Sequence, residues 1–455
     1  MSLDSVLNTS ASGLESVSRR IATVSQNVAN ASTAGYVRET VDVNSIAAAG
    51  QGMGVRTGVA VRSMDERLQA DALAASASVV GQQTKSDALA SIDAASGTPG
   101  SGFDLPSLLG ALRDGFTRLQ ADPANAAQQL AVVSGAGALA RGVNALSKVV
   151  SDARQSAQDA AVADIDAANH ALHDIGSLSD RIIAAKSGNQ STADLEDQRD
   201  RSIRTLSDLT GARVLRQANG DALAMAGGLV LPLRDATGPF ALAAATIAPD
   251  TLPTAMPRIS LDGVPVSGQP LGGRIGANLA LRDSTLPALQ AGLDQFAQSL
   301  AARFDLQWLT LFTDAAGTVP ALPTPGLAQT LRVSAAAIAA PAMVRDGAGP
   351  AGAAGSTALI DRVLDRVLGS ASGSLVATAS ALVSQNAVLA ANAAGQLATD
   401  QAVQASLDKK LADETVVSLD TETADLVRLQ NAYAANAKVM SASQAMWTQL
   451  LDSVR

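Results

Sequence analysis

Both ends of this chain carry apolar residues at one repeating spacing, and that spacing constrains them to helix. Near the start, Leu3, Leu7, Ser10, Leu14, Val17, Ile21, Val24 and Val28 advance in steps of four and three. Near the end, Leu419, Thr423, Leu426, Gln430, Tyr433, Ala437, Met440, Gln444, Trp447, Leu451 and Val454 do the same. Such an alternation lays one narrow apolar stripe along an α-helix, the geometry of a coiled-coil seam. A chain that starts and finishes this way can pair its two ends or offer both to neighbouring subunits, which is the pattern of a self-assembling helical tube rather than of an enzyme.

Composition narrows the remaining choices. Apolar residues are 47% of the 455 but aromatic ones only 2%, so the core must be Ala, Leu and Val in closely packed helices. The net charge is −9 with no cluster of Lys or Arg, which argues against nucleic-acid binding, since phosphates are held mainly by basic side chains. With no cysteine there is no disulfide, thiolate catalysis or zinc-thiolate site, as suits a protein exported unfolded and assembled without redox chemistry. No secretory signal is legible, and no run approaches the roughly 18 apolar residues of a membrane span, so neither a cleaved leader nor a membrane partner is expected.

The expected fold class is mainly α: terminal coiled-coil helices and a long helical-bundle rod, with a small inserted β domain. Residues 1–33 read as an assembly helix with Ser2 as cap, stopped at Gly35, and residues 34–65 as a Gly-rich loop with short strands. Residues 66–212 read as the first part of the rod. There Leu105, Leu108, Leu112, Phe116 and Leu119 share a face, and Asp122-Pro123 opens an almost unbroken helix to Lys186. Asn219-Gly220 marks a hairpin within 213–273, read as the β domain. Residues 274–415 complete the rod around a loop at 314–355, and 416–455 form the C-terminal assembly helix.

The stretch Asn27-Val28-Ala29-Asn30-Ala31-Ser32-Thr33-Ala34-Gly35-Tyr36-Val37-Arg38-Glu39 resembles the N-terminal signature of flagellar rod, hook and hook-associated proteins. Asp122-Pro123-Ala124-Asn125, Leu195-Glu196-Asp197-Gln198-Arg199-Asp200 and the C-terminal run through Leu426, Leu429, Tyr433 and Asn436 narrow the likeness to the hook-filament junction family. The resemblance covers both ends and most of the helical body. The chain looks shorter than typical members, so part of their outer variable domain is expected to be missing.

The likeness implies that the terminal helices form the inner tube and that the β insert faces outward. It implies a ring or helical layer of like subunits between the hook protein and the filament-side junction protein. It further implies an extracellular location on the flagellum, reached by type III export, with a dedicated chaperone on the C-terminal segment. The assembly interface is then expected at Leu3, Leu7, Leu14, Val17, Ile21, Val24, Val28, Leu419, Leu426, Leu429, Tyr433, Met440, Trp447, Leu451 and Val454. Asn30, Gly35, Tyr36, Asp197, Gln198, Arg199 and Asp200 carry the family signature.

A lone helix with a one-sided seam is marginal in water, so both ends are expected to be largely disordered in the free subunit and to fold on assembly. Gln430 and Gln444 in the seam either fix register or face a water-lined lumen. Tyr433 and Trp447 are assembly anchors or ordinary packing residues. The Gly50–Gly58 stretch either switches contacts between neighbours or is an ordinary surface loop.

Chemistry is otherwise sparse. His170 and His173 lie at i, i+3 without a third ligand motif, so no metal is expected. Gly347-Ala348-Gly349-Pro350-Ala351-Gly352 matches GxGxxG but sits in a loop, and no cofactor is expected. Asp197 and Asp200 beside Arg199 read as a salt-bridge cluster at a helix start. No catalytic constellation supports a cell-wall enzyme. Another axial protein, such as the filament-side junction protein, and a secreted coiled-coil adhesin are the alternatives to a junction subunit.

Overall fold

The computed structural model describes residues 3–33, 35–48, 51–98, 100–234, 238–266, 271–349, 352–369 and 373–453. The expected cap Ser2, Gly50, and the last seam residue Val454 lie outside the described residues.

The chain opens with α1 (Leu3–Asn30), β1 (Glu39–Ala48), β2 (Gln51–Arg62), α2 (Glu66–Ser96), α3 (Leu105–Ala121), α4 (Ala126–Ser187) and α5 (Ala193–Thr210). Six short strands follow: β3 (Arg213–Arg216), β4 (Ala222–Ala226), β5 (Leu229–Leu231), β6 (Phe240–Ala241), β7 (Ser260–Leu261) and β8 (Val264–Pro265). Next come α6 (Gly273–Ala280), a π-helical segment (Leu281–Thr285), α7 (Leu286–Asp305), β9 (Phe312–Thr313), α8 (Leu327–Thr330), β10 (Arg332–Val333), α9 (Ala335–Ala339) and α10 (Met343–Asp346). The last elements are α11 (Ala358–Arg366), α12 (Leu375–Thr415) and α13 (Leu419–Ser453). The fold is mainly α with small antiparallel sheets, as the periodicity predicts.

Two compact units divide the chain: residues 1–77, 167–239 and 401–455 form one, and residues 78–166 and 240–400 the other. In the first, α1 and α13 run antiparallel, with Gly13 against Asn436 and Asn27 against Glu422. Both helices are formed and paired, which differs from the expected disorder. Their shared core is thin, limited to Val17, Val24 and Leu429 with Ile21, Leu426 and Ala432 at its edge.

The segment 34–65 is not a flexible loop. β1 and β2 make one long hairpin, in register from Glu39↔Arg62 to Ala48↔Gln51 with irregularities at Val41/Val43 and Ile46/Ala47. Of its glycines Gly54 marks a close approach, while Gly52 has open space around it. Gly54 holds φ +114° where α1 crosses the strand, and a Cβ there would lie 2.3 Å from Ser12 Oγ. Ser12 Oγ in turn accepts the Val55 N–H at 3.2 Å.

The span 213–273, expected as one β domain, holds two three-stranded sheets. β3-β4-β5 belongs to the first unit and β6-β7-β8 to the second, the boundary falling after Pro239. Pro232 directly follows β5 and has no N–H to extend the ladder, so that strand stops at Leu231.

In the second unit one large core joins α3, the first half of α4, α7 and the chain from 309 to 368. Phe304 links Phe116 at 6.1 Å and Phe312 at 5.4 Å between ring centroids. Asp104 caps α3 by accepting the Ser107 N–H at 2.9 Å. α4 starts later than its proline suggested: Asn125 is the cap, accepting from the N–H groups of Ala127 and Gln128, while Pro123 lies in the preceding turn. The segment 314–355 is largely irregular chain, with β10 at Arg332–Val333 and the short helices α8, α9 and α10 within it. It plugs this core, with Leu327, Leu331, Val333, Ala337 and Val344 buried. Its short apolar spacings are too brief for sequence periodicity to register, yet each seats one or two aliphatic side chains.

The π segment has a cause. Leu286 N–H reaches back to Leu281 O, and Pro287 has no N–H to give the Arg282 carbonyl. Arg154, buried on α4, donates instead, Nε to Arg282 O at 2.8 Å and Nη1 to Thr251 O at 2.6 Å.

Two stretches, α4 and Leu375–Ser453, contain 18-residue windows with mean hydropathy of 1.2, long and apolar enough by that measure to cross a membrane. The α4 window is 44% buried inside the protein and the second 22%.

Candidate assembly interface

α1 presents its stripe to α13 only in part. Val17 and Val24 are buried, Leu7, Leu14, Ile21 and Val28 are half-buried, and the side chain of Leu3 lies outside the described set. On α13, Leu429 is buried and Leu426 and Met440 half-buried. The same stripe is elsewhere uncovered: Leu419, Tyr433, Trp447 and Leu451 are exposed, with Trp447 at 43% and Leu451 at 56%. Val427, Val439, Met446 and Leu450 are exposed as well, on other sides of the helix. Gln430 and Gln444 are exposed beside them. A run of apolar side chains this long on one exposed helix marks an interaction face.

The pair is fastened at its base by a buried polar knot. Asn27 Nδ2 donates to the Glu39 carbonyl at 3.0 Å and to Glu422 Oε2 at 3.1 Å. Asn27 Oδ1 accepts the Tyr36 hydroxyl at 2.8 Å and the Glu39 N–H at 2.9 Å. Arg38 then spans the break between α12 and α13. Its N–H donates to Thr415 O at 3.0 Å and its Nε to Glu422 Oε1 at 2.6 Å. Glu422 is 0% exposed, and among the described residues its ion-pair partner is Arg38. The chain after α1 must turn tightly to deliver Tyr36, Arg38 and Glu39 here, and Gly35 provides that turn at φ +79°.

A second charged cluster ties the signature loop to α5. The Val37 N–H donates to Asp197 Oδ2 at 3.3 Å. Arg62, at the end of β2, puts Nη2 2.6 Å from Asp200 Oδ2. Its Nε lies 2.8 Å from Asp197 Oδ1 but is not aligned for a hydrogen bond, so neither atom has one. Asp200 also receives Arg216 Nη2 at 2.6 Å and Gln69 Nε2 at 2.9 Å. Arg199 instead donates from Nη1 to Gly220 O at 2.7 Å and to Ser179 Oγ at 3.3 Å, and its Nε has no acceptor. Gln198 is exposed and Asn30 half-buried at the end of α1.

Burial sets the electrostatics. It pushes the Asp197 carboxyl up to about 6, although Arg62 and the Val37 N–H pull the other way. Asp200 feels the same desolvation, but Arg216, Arg62 and Gln69 together hold it below the usual carboxylate range. Glu39 is raised by burial and by Asp194 and Asp197. The Tyr36 phenol is raised by burial, Glu39 and Asp197, so it stays a neutral donor.

Sequence reasoning singled out Asp197, Arg199, Asp200 and Tyr36 but not Asn27, Arg38, Arg62 or Glu422 as a set. Asn27 and Arg38 stood inside the signature stretch. Glu422 lies in the first turn of α13, and no local signal marks it as buried. His170 and His173 are exposed on α4, and no group of three metal-ligating residues occurs among the described residues. The GxGxxG match includes Pro350 and Ala351, which lie outside the described residues.

Comparison with known proteins gives the same segments. The family model "Flagellar hook-associated protein FlgK helical domain" matches residues 89–310. "Flagella basal body rod protein" matches residues 7–36, and "Flagellar basal body rod FlgEFG protein C-terminal" matches 417–453. Flagellar hook-associated protein 1 of Escherichia coli (strain K12) is 26% identical over 317 residues, covering 67% of this chain and 57% of the relative. The Salmonella typhimurium protein of the same name is also 26% identical over 317 residues, covering 67% and 56%. The chain thus spans a little over half the length of the curated relatives it matches. The solved structure of the flagellar hook junction protein FlgK from Burkholderia pseudomallei is 26% identical with a TM-score of 0.42, covering 55% of this chain and 45% of that one.

Proposed function

The chain belongs to the flagellar hook-associated protein family, and on that premise we propose that it is a structural subunit of the bacterial flagellum. It builds the junction layer between hook and filament by self-assembly through α1 and α13. The observation that carries this reading is the division of labour on α13. Leu429 and the Asn27–Glu422 knot fasten it to α1, while Leu419, Tyr433, Trp447 and Leu451 of the same stripe stay exposed. Packing those residues against like helices removes apolar area from water at about 25 cal/mol per Å².

The partners follow from that place in the structure: further copies of this chain, the hook protein below and the filament-side junction protein above. Export through the flagellar type III apparatus, with a chaperone covering the C-terminal helix, keeps the exposed face from premature contacts. The role is structural, without catalysis, cofactor or metal, and its location is the extracellular flagellum. The decisive experiment deletes the last 40 residues in the native cell. Loss of filaments with accumulation of hook-only structures is expected, and a normal filament overturns the reading.

A further inference from the structure

We propose that the cavity bounded by β2, the turn between α4 and α5, the start of α5, and β3 is a binding site for an oxyanion, a phosphate or a carboxylate. The site lies within the first unit, away from the outward face of α13, and the proposal holds whether or not the chain builds a junction layer. The cavity measures about 430 Å³. Arg62, Lys186, Arg199 and Arg216 line it, against the carboxylates of Glu66 and Glu196.

Pairing within this cluster is incomplete. Arg62 pairs with Asp197 at 2.8 Å and with Asp200 at 2.6 Å, and Arg216 shares Asp200 at 2.6 Å. Glu196 is stretched between Lys186 at 3.8 Å and Arg62 at 3.9 Å. Arg199 is 2% exposed, and no carboxylate lies within ion-pair distance of it among the described residues. Its Nη1 is satisfied by neutral oxygens, and its Nε has no acceptor. A buried guanidinium without an anion is costly, and burial already pushes its pKa down.

The start of α5 points to the same ligand chemistry. Thr192, at the cap position, gives its hydroxyl to Glu196 at 2.9 Å and makes no side-chain bond to the first-turn N–H groups. The first turn of α5, 18 residues long, lines this cavity through Ala193 and Glu196. Ser191 Oγ accepts the Ala193 N–H at 3.5 Å and Asp194 and Glu196 lie in that turn, so the helix end adds only a part of the positive field there. An arginine fork, a lysine point charge and a helix N-terminus together recognise the oxygens of phosphate or carboxylate.

The test uses the purified full chain and its thermal unfolding midpoint in inorganic phosphate, in acetate, and in chloride of matched ionic strength. Phosphate also stabilises proteins by exclusion from their surface, so the readout is the saturable part of the response at millimolar concentration. A saturable rise of about 2–4 °C over chloride is expected at ten times the dissociation constant. Arg199→Gln is expected to abolish it. Should that variant not fold, Lys186→Gln, at the exposed edge of the site, is expected to weaken phosphate binding at least fivefold. A response to phosphate alone identifies a free tetrahedral anion. A response to acetate as well identifies a carboxylate, such as a neighbouring chain can supply. No saturable response to either, or one unchanged in Lys186→Gln, overturns the proposal.

Discussion

Asn27 on α1 donates to Glu422 on α13 at 3.1 Å, joining two residues 395 positions apart in the sequence. Glu422 also takes Arg38, so one buried carboxylate holds the helix, the signature loop and the α12–α13 break together. Truncating one partner of a buried pair leaves the other charge unmatched, which costs about 3–5 kcal/mol. Because Arg38 keeps some access to water, Glu422→Ala is expected to destabilise the first unit by about 2–4 kcal/mol. Urea unfolding of the full chain, with amide exchange on α1 and α13, checks this. A loss below 1 kcal/mol, or α1 keeping its protection, contradicts it.

Asp197 should give the protein an acid-side slope. Its folded carboxyl titrates at about 6, above the roughly 3.9 of an unfolded aspartate, so the folded state binds the extra proton between those values. Stability from this group is therefore greatest below pH 4, falls as pH rises through 4–6, and is flat above, a change on the order of 2–3 kcal/mol. Asp200 runs the opposite way: its contribution is present above the unfolded value and lost as pH falls below it. Asp197→Asn removes the 4–6 slope, measurable as an unfolding midpoint that no longer declines across that window.

Gly54→Ala adds a methyl group 2.3 Å from Ser12 Oγ on a backbone at φ +114°. Strain of about 1–3 kcal/mol is expected, concentrated where α1 meets β2. Faster amide exchange at Val55 and in α1 near Ser12, with the second unit unchanged, is the signature.

Arg154→Met leaves the Arg282 and Thr251 carbonyls without donors in the second unit. A loss of about 2–4 kcal/mol follows from orphaning buried groups. Arg154→Lys is expected to recover little, because one ammonium lacks the fork that spans both oxygens. Thermal unfolding of the two variants side by side distinguishes a fork from a simple charge.

Trp447→Ser and Leu451→Ser should separate folding from assembly. Both side chains are exposed in the single chain, so monomer stability is expected to shift by less than about 0.5 kcal/mol. Incorporation into hook-filament junctions is expected to fail. A variant that assembles normally counts against the outward face of α13 as the interface.

Sequence alone determined the helices and the absence of thiol or obvious metal chemistry, because both are local: a 3.6-residue period is written in neighbouring letters. Most of the 62 residues of α4 could be read directly, though not its first residue. Only tertiary structure decided that the glycines around Gly54 lie in a strand crossed by α1, and that Arg154 serves a carbonyl freed by Pro287. It alone decided that Glu422 is buried while Trp447 is not. Periodicity identifies which face of a helix is apolar, but what covers that face depends on chain brought from hundreds of residues away, through contacts that leave no local spacing to read.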